Sequence, residues 1–576
     1  HNLNLNEFSC TINASLDLFN VETINTISQR LHSILKQFFT SVDDEINKSI
    51  YEISLTLPNE RLLMQSMNNT QVSFSSPLTC IHHEFVYQVM KHPQKLAVEL
   101  DEQSLTYAEL LYYVQVLSLH LINNYAVVPG EIICQCVERS LSMVIGIMAI
   151  EMSGGVYCPL SPRDPQHRLH TLIEQTQCRI VLLHWLTKMK FIGDISYVDV
   201  EPILSNRFDE SIVDINQLSN VTVTPENIAY IIFTSGSTGI PKAIQTRHRN
   251  FSNFVYSLHH TRALNEQDVV AQICAPTYDV HMMEIIGEPI SMKLVHRLRN
   301  HIQNKCGIYN IYAPAETTVV SIYHCIEPIS LETSIPLGRL FPNEQYKVLD
   351  MFFQSIAIEQ EGELFIGGVG IFAGYLNRDD LTKKSLITID NELFYRSGDL
   401  VKTDRKGYIL YISRKDYQVK LRGQRIELGE IEQCILKIPS ISPCIVIKWG
   451  DDHLVAYVQS SDIDEVQLRK HCQSHLPSHM TPSLFVILDK LPLNPNGKID
   501  RKLLPPPNFS SKYLTNLDKL LLPMNENEVI IHHIWCDLLK QKQISTNTNI
   551  FTLGGHSLLI MQLFHRYKIE FCLETN

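Results

Sequence analysis

One stretch of sequence decides how the rest is interpreted: Ala229-Tyr230-Ile231-Ile232-Phe233-Thr234-Ser235-Gly236-Ser237-Thr238-Gly239-Ile240-Pro241-Lys242. Its first five residues form an apolar run that is typical of a buried strand. The glycines that follow let the backbone bring N–H groups close to an anion, while the hydroxyls and Lys242 add donors and positive charge. This composition indicates a phosphate-binding loop, although a flexible Ser/Gly loop would have the same composition. It is not a Walker loop, because no Gly-Lys-Ser/Thr triplet ends it.

The composition of the chain bounds the class of protein. A length of 576 residues predicts about three to five folding units. Hydrophobic residues make up 44% and charged residues 19%, which excludes a disordered or fibrous protein. The net charge of −12 gives no electrostatic reason to bind nucleic acid or an anionic membrane. The longest apolar run, Met143 to Ile150, is far shorter than the ~20 residues that a membrane span requires.

Cysteine and histidine spacing predicts no metal or redox centre. None of the 14 cysteines forms a Cys-x-x-Cys pair, so we expect reduced, mostly buried thiols in a cytoplasmic protein. The pairs His82-His83, His259-His260 and His532-His533 have no carboxylate or cysteine partner at a related spacing. They are therefore interpreted as ordinary histidines. The chain begins at His1 without a leader pattern, so we expect an interior piece of a longer polypeptide.

Apolar spacing outlines the organisation of the chain. Residues 20–39 have the pattern of an amphipathic helix, and the polar stretch 66–78 that of a boundary. The next ~330 residues alternate helical patterns with short apolar runs, as layered α/β proteins do. A smaller unit follows, with a helix at 430–436 and strands at 444–447 and 454–458. Three prolines at 505–507 predict an extended linker, and residues 529–539 another amphipathic helix.

Further motifs follow the loop in a fixed order: Tyr312-Ala313-Pro314-Ala315-Glu316-Thr317-Thr318, Tyr395-Arg396-Ser397-Gly398-Asp399, Arg414-Lys415-Asp416-Tyr417-Gln418-Val419-Lys420-Leu421-Arg422-Gly423, and Asn496-Gly497-Lys498-Ile499-Asp500-Arg501. Together with the loop they resemble the adenylate-forming superfamily, and within it the adenylation domain of nonribosomal peptide synthetases. The resemblance extends through Gly374-Tyr375-Leu376 and covers most of residues 80–505. Asn13 to Phe19 and the helix after them look like the end of a condensation domain. Leu553-Gly554-Gly555-His556-Ser557-Leu558 resembles the phosphopantetheine attachment site of a peptidyl carrier.

The resemblance implies a fold and a set of domains. The fold class is α/β: a large layered α/β subdomain of the adenylate-forming type, a small α+β C-terminal subdomain, and a truncated all-α carrier bundle. The expected domains are a condensation-domain remnant at 1–72, the large subdomain at 78–412, the small subdomain at 413–505, a linker at 506–522 and a partial carrier at 523–576.

The resemblance also implies the reaction and the nucleotide site. A carboxylate attacks the α-phosphorus of ATP, giving an acyl-adenylate and pyrophosphate, and the thiol of the carrier then displaces AMP. The loop residues Thr234, Ser235, Gly236, Ser237, Thr238, Gly239 and Lys242 would cradle the β- and γ-phosphates. Glu316 would hold Mg²⁺. Tyr312 would pack on adenine, Asp399 would accept from the ribose hydroxyls, and Arg414 would lie near the ribose.

The remaining roles concern the substrate, the hinge and the carrier. Lys498 would reach the α-phosphate and the substrate carboxylate, and Asp416 would be the hinge on which the small subdomain rotates. Asp279 would pair with the α-amino group of an amino acid. Ser557 would carry phosphopantetheine, installed by a phosphopantetheinyl transferase. Five apolar residues match pocket-lining positions and indicate an uncharged, hydrophobic side chain: Val280, Met283, Ile311, Val319 and Val320.

The sequence departs from the family pattern. Between Ile286 and Gly287 a segment on the order of ninety residues is missing by comparison, which is nearly the size of a small domain. Such a loss would expose apolar surface and leave sheet edges unpaired. It is either an artefact of the gene model or of splicing, or a genuine degeneration. Ala243, Ala313 and Ser413 replace family glycines, and each would cost more than about 1 kcal/mol if its glycine has a positive φ.

The leading hypothesis is therefore an amino-acid-activating module that uses ATP and Mg²⁺. Its partners would be the amino acid, the upstream condensation domain and downstream modules, with no nucleic acid, no membrane and no metal other than Mg²⁺. Two alternatives remain open. One is a related adenylating ligase or reductase of the aminoadipate-reductase type, and the other is a non-catalytic, degenerate module.

Overall fold

The computed structural model describes most of the chain. The described residues are 11–15, 17–39, 53–191, 196–205, 215–236, 239–264, 308–326, 335–416, 418–421, 424–450, 453–494, 499–508, 521–539, 544–546, 563, 566–567 and 570–571.

Two N-terminal helices, α1 (Val21–Phe39) and α2 (Pro58–Met67), precede the large lobe. The predicted amphipathic helix at 20–39 is confirmed by α1. Arg30 on α1 pairs with the buried Glu60 on α2 at 2.5 Å. The chain after α2 is fastened to the large lobe, since the Tyr346 N–H donates to the Asn68 side chain at 2.7 Å.

The large lobe contains the elements that position the site. In chain order they are α3 (Ile81–Lys91), β1 (Leu96–Leu100), β2 (Gln103–Thr106), α4 (Tyr107–Tyr125), β3 (Ile132–Cys136), α5 (Leu141–Met152), β4 (Val156–Pro159), α6 (Gln166–Thr176), β5 (Ile180–Leu183), β6 (Ser196–Asp199), α7 (Val200–Ser205), β7 (Ile228–Thr234), β8 (Lys242–Arg247), α8 (His248–His260), β9 (Ile308–Tyr312), β10 (Ile322–Ile326), β11 (Arg339–Leu340), β12 (Glu344–Leu349), β13 (Gly362–Gly368), β14 (Gly374–Tyr375), α9 (Asp379–Ser385), β15 (Leu386–Ile389), β16 (Glu392–Thr403) and β17 (Ile409–Arg414).

A seven-stranded sheet of order β14-β8-β7-β4-β3-β5-β6 forms the centre of this lobe. The strands from β7 to β6 are parallel, whereas β8 pairs antiparallel with both of its neighbours, β7 and β14. Neighbouring residues face different cores: Ile133 belongs to one buried cluster and Cys134 to another. Because successive side chains point to opposite faces, the sheet is covered on both sides. This explains why β5 is buried at all four positions.

Two antiparallel sheets complete the large lobe. One has the order β12-β13-β16-β15, with β17 paired to the second half of β16. The other has the order β11-β10-β9. The long strand β16 carries Asp399 into the interior, where β17 lies against it and places Arg414 opposite Asp399.

The small lobe follows Asp416, and β17 ends at Arg414, two residues beyond the expected boundary at 412. Its elements are β18 (Val419–Leu421), β19 (Gln424–Ile426), α10 (Leu428–Leu436), β20 (Cys444–Trp449), β21 (His453–Gln459), α11 (Glu465–His475) and β22 (Leu484–Leu488). The order β20-β21-β22 forms a sheet, and α10 and α11 pack on it. A further helix, α12 (Glu526–Leu539), follows after residue 521. The expected α/β fold class, with a large and a small lobe, is confirmed.

Candidate active site

The loop between β7 and β8 takes a shape that requires both of its described glycines. A Cβ on Gly236 would lie 1.9 Å from the carbonyl oxygen of Ile240, and Gly239 has φ of +82°. Both conditions exclude a side chain, because the first is a clash and the second is the left-handed region. Ser237 and Thr238 lie outside the described residues.

The small lobe contacts this loop directly. The Ser235 hydroxyl donates to the carbonyl of Arg425 at 3.1 Å and accepts from the N–H of Glu427 at 3.2 Å. The N–H of Gly236 donates to Oε2 of Glu430 at 3.0 Å. Glu430 is 2% exposed, and its Oε1 accepts from Arg168 on α6 at 2.9 Å. The Glu430 carboxylate therefore already accepts a hydrogen bond from an N–H that the loop could otherwise donate to a bound anion.

A cavity of about 510 Å³ lies between the two lobes beside this loop. Six described residues that line it are cationic and four are acidic, so its lining is net positive although the whole chain is acidic. The cationic ones are Lys242, Arg396, Arg414, Lys415, Arg425 and Arg501, and the acidic ones are Glu363, Asp416, Glu427 and Glu432. Such a lining favours a polyanionic ligand.

Lys242 begins β8 and lines this cavity. Its Nζ lies 3.9 Å from Glu427 and 5.8 Å from the centre of the Tyr375 ring. Burial and the neighbouring charge of Arg425 lower the pKa of Lys242 from its ordinary value. An anion that enters the cavity would therefore stabilise the charged form of Lys242, because it replaces the hydration that the ammonium group has lost.

Asp399 and Arg414 form a buried network across β16 and β17. Nη1 of Arg414 donates to Oδ1 of Asp399 at 2.9 Å, and Oδ2 of Asp399 accepts from the hydroxyl of Tyr312. The other nitrogens of Arg414 hold Asp416 at 2.7 and 2.8 Å. The expected adenine, ribose and hinge residues are thus in mutual contact. Burial and the Asp399 charge raise the pKa of Tyr312, so its phenol stays protonated.

Glu316 is fully buried and is held by two partners. Nη1 of Arg425 lies 3.1 and 3.0 Å from its two oxygens, and the Tyr375 hydroxyl donates to Oε1 at 2.9 Å. Burial alone would raise the pKa of Glu316, but the Arg425 charge and a backbone hydrogen bond outweigh it, so the pKa is lowered. While Arg425 lies here, Glu316 does not fit the role of a Mg²⁺ ligand, since its charge is already compensated.

Three of the five apolar residues expected to line a substrate pocket are described, and they belong to the same part of the core. Val319 and Val320 are 1% and 4% exposed and belong to the main core, and Ile311 packs against that core from β9. The other expected site residues lie outside the described residues: Lys498, Asp279, Val280, Met283 and Ser557.

The sequence reasoning missed Arg425, Glu430 and the role of Tyr375. Arg425 and Glu430 lie just beyond the motif that ends at Gly423, in Gln424-Arg425-Ile426-Glu427-Leu428-Gly429-Glu430. A run of one arginine and two glutamates so close to that motif is the signal that could have found them. Tyr375 lies in the family-like segment Gly374-Tyr375-Leu376, but the resemblance assigned no role to it.

The three substituted glycine positions are free of the expected strain. Ala243, Ala313 and Ser413 are all described, and none of them is among the residues with positive φ. The cost of more than about 1 kcal/mol, which was conditional on a positive φ, therefore does not apply.

Comparison with known proteins shows the family to which the chain belongs. The family described as AMP-binding enzyme matches residues 85–287 and 275–376, and its C-terminal domain matches residues 430–498. The chain belongs to the AMP-binding enzyme family. Its two matched domains correspond to the large and small lobes.

Curated relatives of this AMP-binding enzyme are long synthetases. Malpinin synthetase from Mortierella alpina is 29% identical over 624 residues, covering 93% of this chain and 8% of the relative. Gramicidin S synthase 2 from Brevibacillus brevis is 30% identical over 588 residues, covering 90% of this chain and 13% of the relative. The chain thus spans only a small part of the length of these two relatives.

Solved structures share the fold of this AMP-binding enzyme. Holo-AB3403, a four-domain nonribosomal peptide synthetase bound to AMP and glycine, gives a TM-score of 0.59 at 24% identity, with 97% of this chain and 45% of that chain covered. The adenylation domain AlmE of Vibrio cholerae, in complex with glycyl-adenosine-5'-phosphate, gives 0.64 at 20% identity, with 74% and 98% covered. Among the described residues, no helix is both long enough and apolar enough to cross a bilayer.

Proposed function

We propose that this chain is an amino-acid-activating module of a nonribosomal peptide synthetase. It would form an aminoacyl-adenylate from ATP and pass the acyl group to the thiol of the adjacent carrier. One observation carries the proposal: Lys242 is far in the sequence from Arg414 and Asp416, yet all three line one net-positive cavity beside a glycine loop. A reaction that spreads negative charge over phosphate oxygens needs such a setting.

Some residues of the site would bind the nucleotide, and others would orient the amino acid. The N–H groups of the loop and Lys242 would hold the distal phosphates, and Asp399 with Tyr312 would hold the nucleoside. Both oxygens of Asp399 have partners in the described arrangement. Lys498 would supply positive charge at the α-phosphate and the attacking carboxylate, and Asp279 would select an α-amino acid.

Mg²⁺, the condensation remnant at 1–72, the carrier and its attachment site Ser557 belong to the proposal as well. Glu316 would become available to a cation after Arg425 has moved away with the small lobe. Phosphopantetheine on Ser557 would supply the acceptor thiol, and a phosphopantetheinyl transferase would install it. A cytoplasmic location is also proposed, because the ten cysteines of the described part are free thiols.

A degenerate, non-catalytic module is the second candidate, and a specific observation favours it. The family matches in two segments that meet at residues 275–287, where the missing segment was expected. The alignment with malpinin synthetase covers 624 positions, more than the 576 residues of this chain. This relative therefore has residues without a counterpart here.

Amino-acid-dependent exchange of pyrophosphate into ATP distinguishes the two candidates. We expect little or no exchange from the 576-residue chain, and exchange once the corresponding segment of a relative is inserted between Ile286 and Gly287. Ser557→Ala should leave this exchange intact and abolish loading of the carrier. If the completed chain binds ATP but exchanges no pyrophosphate with any of the common amino acids, the degenerate module is the correct interpretation.

A further inference from the structure

Three helices meet at a buried group of metal-ligand side chains near the end of β8 that lies away from the phosphate loop. His82 lies in the first turn of α3, Glu151 near the end of α5, and His248 begins α8. They are 5%, 2% and 1% exposed. One donor atom from each lies within 4.8 Å of the others. Sequence spacing did not indicate this cluster, because the carboxylate and the second imidazole come from separate helices.

Glu151 is buried without a compensating positive charge among the described residues. Its Oε2 and the Nδ1 of His82 are buried without a hydrogen-bond partner. Nδ1 of His248 accepts the N–H of Ile81 at 3.2 Å, so this nitrogen is not available to donate to Glu151. Buried polar groups are rarely left in this state, since an unpaired group keeps the full cost of its lost hydration.

The imidazoles are neutral and therefore suited to be ligands. Burial lowers the pKa of His82 to about 3 and that of His248 to about 4. Neither ring carries a positive charge at neutral pH, so neither can form an ion pair with Glu151. A neutral imidazole keeps a lone pair for a cation.

The distance between two of the ligand atoms matches tetrahedral coordination. Nδ1 of His248 and Oε2 of Glu151 are 3.5 Å apart. Two ligand atoms at about 2.0–2.1 Å from a tetrahedral ion are about 3.4 Å apart. A cation between them would take the place of the Ile81 N–H at Nδ1 of His248. A small movement of the His82 ring toward the ion would supply the third ligand.

We propose that His82, Glu151 and His248 bind one divalent transition-metal ion of the zinc class, with a water molecule as the fourth ligand. Two imidazoles and one carboxylate suit zinc, whereas calcium and magnesium require a shell of oxygens. The site is separate from the nucleotide cavity, because roughly 20 Å of β8 lies between Lys242 and His248. Its role is structural: the ion would fasten α3, α5 and α8 to one another.

A second histidine cluster on the small lobe provides the internal comparison. Cys434, His471 and His475 also lie within ligand distance of one another. There, Nε2 of His471 lies 3.0 Å from the carbonyl of Cys434, and Nδ1 of His475 lies 2.9 Å from the carbonyl of His471. A carbonyl oxygen only accepts, so those nitrogens carry hydrogens and have no lone pair for a cation, whereas Nδ1 of His248 is an acceptor; the small-lobe cluster is therefore the weaker candidate.

Zinc content and thermal stability of the full chain test the proposal. The protein is stripped with a chelator, incubated with zinc, passed through a desalting column and analysed for metal. We expect one equivalent of zinc and a higher melting temperature in wild type and in His471→Gln. Glu151→Gln, which is nearly isosteric, and His248→Gln should lose both effects. His259→Gln, at an exposed position of α8, is the matched control and should keep both.

Two results would overturn the assignment. One is a wild-type chain that retains no zinc at micromolar concentrations. The other is retention by Glu151→Gln together with loss in His471→Gln, which would place the ion on the small lobe. Because Glu151→Gln removes an uncompensated buried carboxyl group, its metal-free form should melt no lower than metal-free wild type, and a large drop would also contradict the proposal.

Discussion

Glu316 keeps its negative charge in the protein interior because Arg425 lies against both of its oxygens. Arg425 comes from the small lobe, whereas Glu316 belongs to the large one. This contact is one of several that join the lobes, and it also neutralises a carboxylate that the family resemblance assigns to Mg²⁺. The stability of this contact should depend on pH.

Arg425→Gln should lower the free energy of unfolding by about 3 kcal/mol at pH 7, because it leaves a buried carboxylate without its partner. The pKa of Glu316 is lowered from its ordinary value of 4.5, so the pair stabilises the protein above that pH. The stabilisation is lost as the pH falls through the lowered pKa. The difference in the free energy of unfolding between wild type and Arg425→Gln should therefore be largest at neutral pH and become smaller below pH 4.5. Urea unfolding at several pH values measures it.

Lys415→Gln is the control for this prediction. Its Nζ pairs with Glu363 at 3.1 Å in the same cavity, but the side chain is half exposed. Exposed pairs contribute at most about 1 kcal/mol. An equal effect from both variants, or an Arg425→Gln effect that does not change with pH, would refute a special role for the buried pair.

Lys498→Ala tests the charge argument at the reacting atoms. In a chain completed between Ile286 and Gly287, it should slow adenylate formation by about 10²–10³-fold, because a positive charge at the transition state is removed. ATP should still bind, because the loop and Lys242 are unchanged. Pyrophosphate exchange gives the rate, and calorimetry gives the affinity. Near-normal exchange would remove Lys498 from the mechanism.

The ordered motifs predicted Glu316, Asp399, Tyr312 and Arg414 as one site, and the structure brings these residues close together. They did not predict their partners. Arg425 is 109 residues away from Glu316 in the sequence, and nothing in either segment indicates that they pair. A contact across such a separation depends on how two lobes dock, which local spacing does not encode. The cluster of His82, Glu151 and His248 could not be predicted either, because its residues lie on three helices that are far apart in the sequence.

The loop between β7 and β8 contacts the start of α10 across the two lobes. The N–H of Gly236 and the guanidinium of Arg168 both hold Glu430. A phosphate group would need the same donors. Nucleotide binding and this docked position of α10 should therefore compete.

Glu430→Gln should consequently tighten ATP binding about tenfold, since a charge-assisted hydrogen bond contributes about 1.5–3 kcal/mol and would no longer oppose the ligand. Calorimetric titration of the full chain measures the change. Glu465→Gln removes a carboxylate from α11 at the surface of the same lobe and should leave the affinity unchanged. Unchanged or weaker binding by Glu430→Gln would show that its carboxylate does not compete with phosphate.

At the level of elements, sequence periodicity was informative where strands and helices are regular. The apolar spacing predicted α1, α10, α12, β7, β20 and β21. It could not give the strand order of the central sheet, because parallel pairing joins segments that are far apart in the chain. It also could not show that Ala243, Ala313 and Ser413 avoid positive φ, which depends on the path of the backbone.

The whole molecule is acidic, yet it encloses a net-positive cavity between two lobes. An anion should therefore be attracted to this cavity although the chain as a whole repels it, because exposed charges farther away are screened within about 8–10 Å. In the described part, β9 forms one edge of its three-stranded sheet and follows the region where a segment was expected to be missing. The nucleotide cavity itself is built from elements on either side of that region.

Calorimetric titration of the full chain with ATP tests the central claim most directly. We expect one binding site, and binding that weakens by at least about tenfold in both Lys242→Ala and Asp399→Asn, because Lys242 lines the cavity and the Asp399 charge holds Arg414, which lines it too. Glu465→Gln should bind as wild type does. Absence of ATP binding, or equal affinity in wild type, Lys242→Ala and Asp399→Asn, would contradict the claim that this cavity is a nucleotide site.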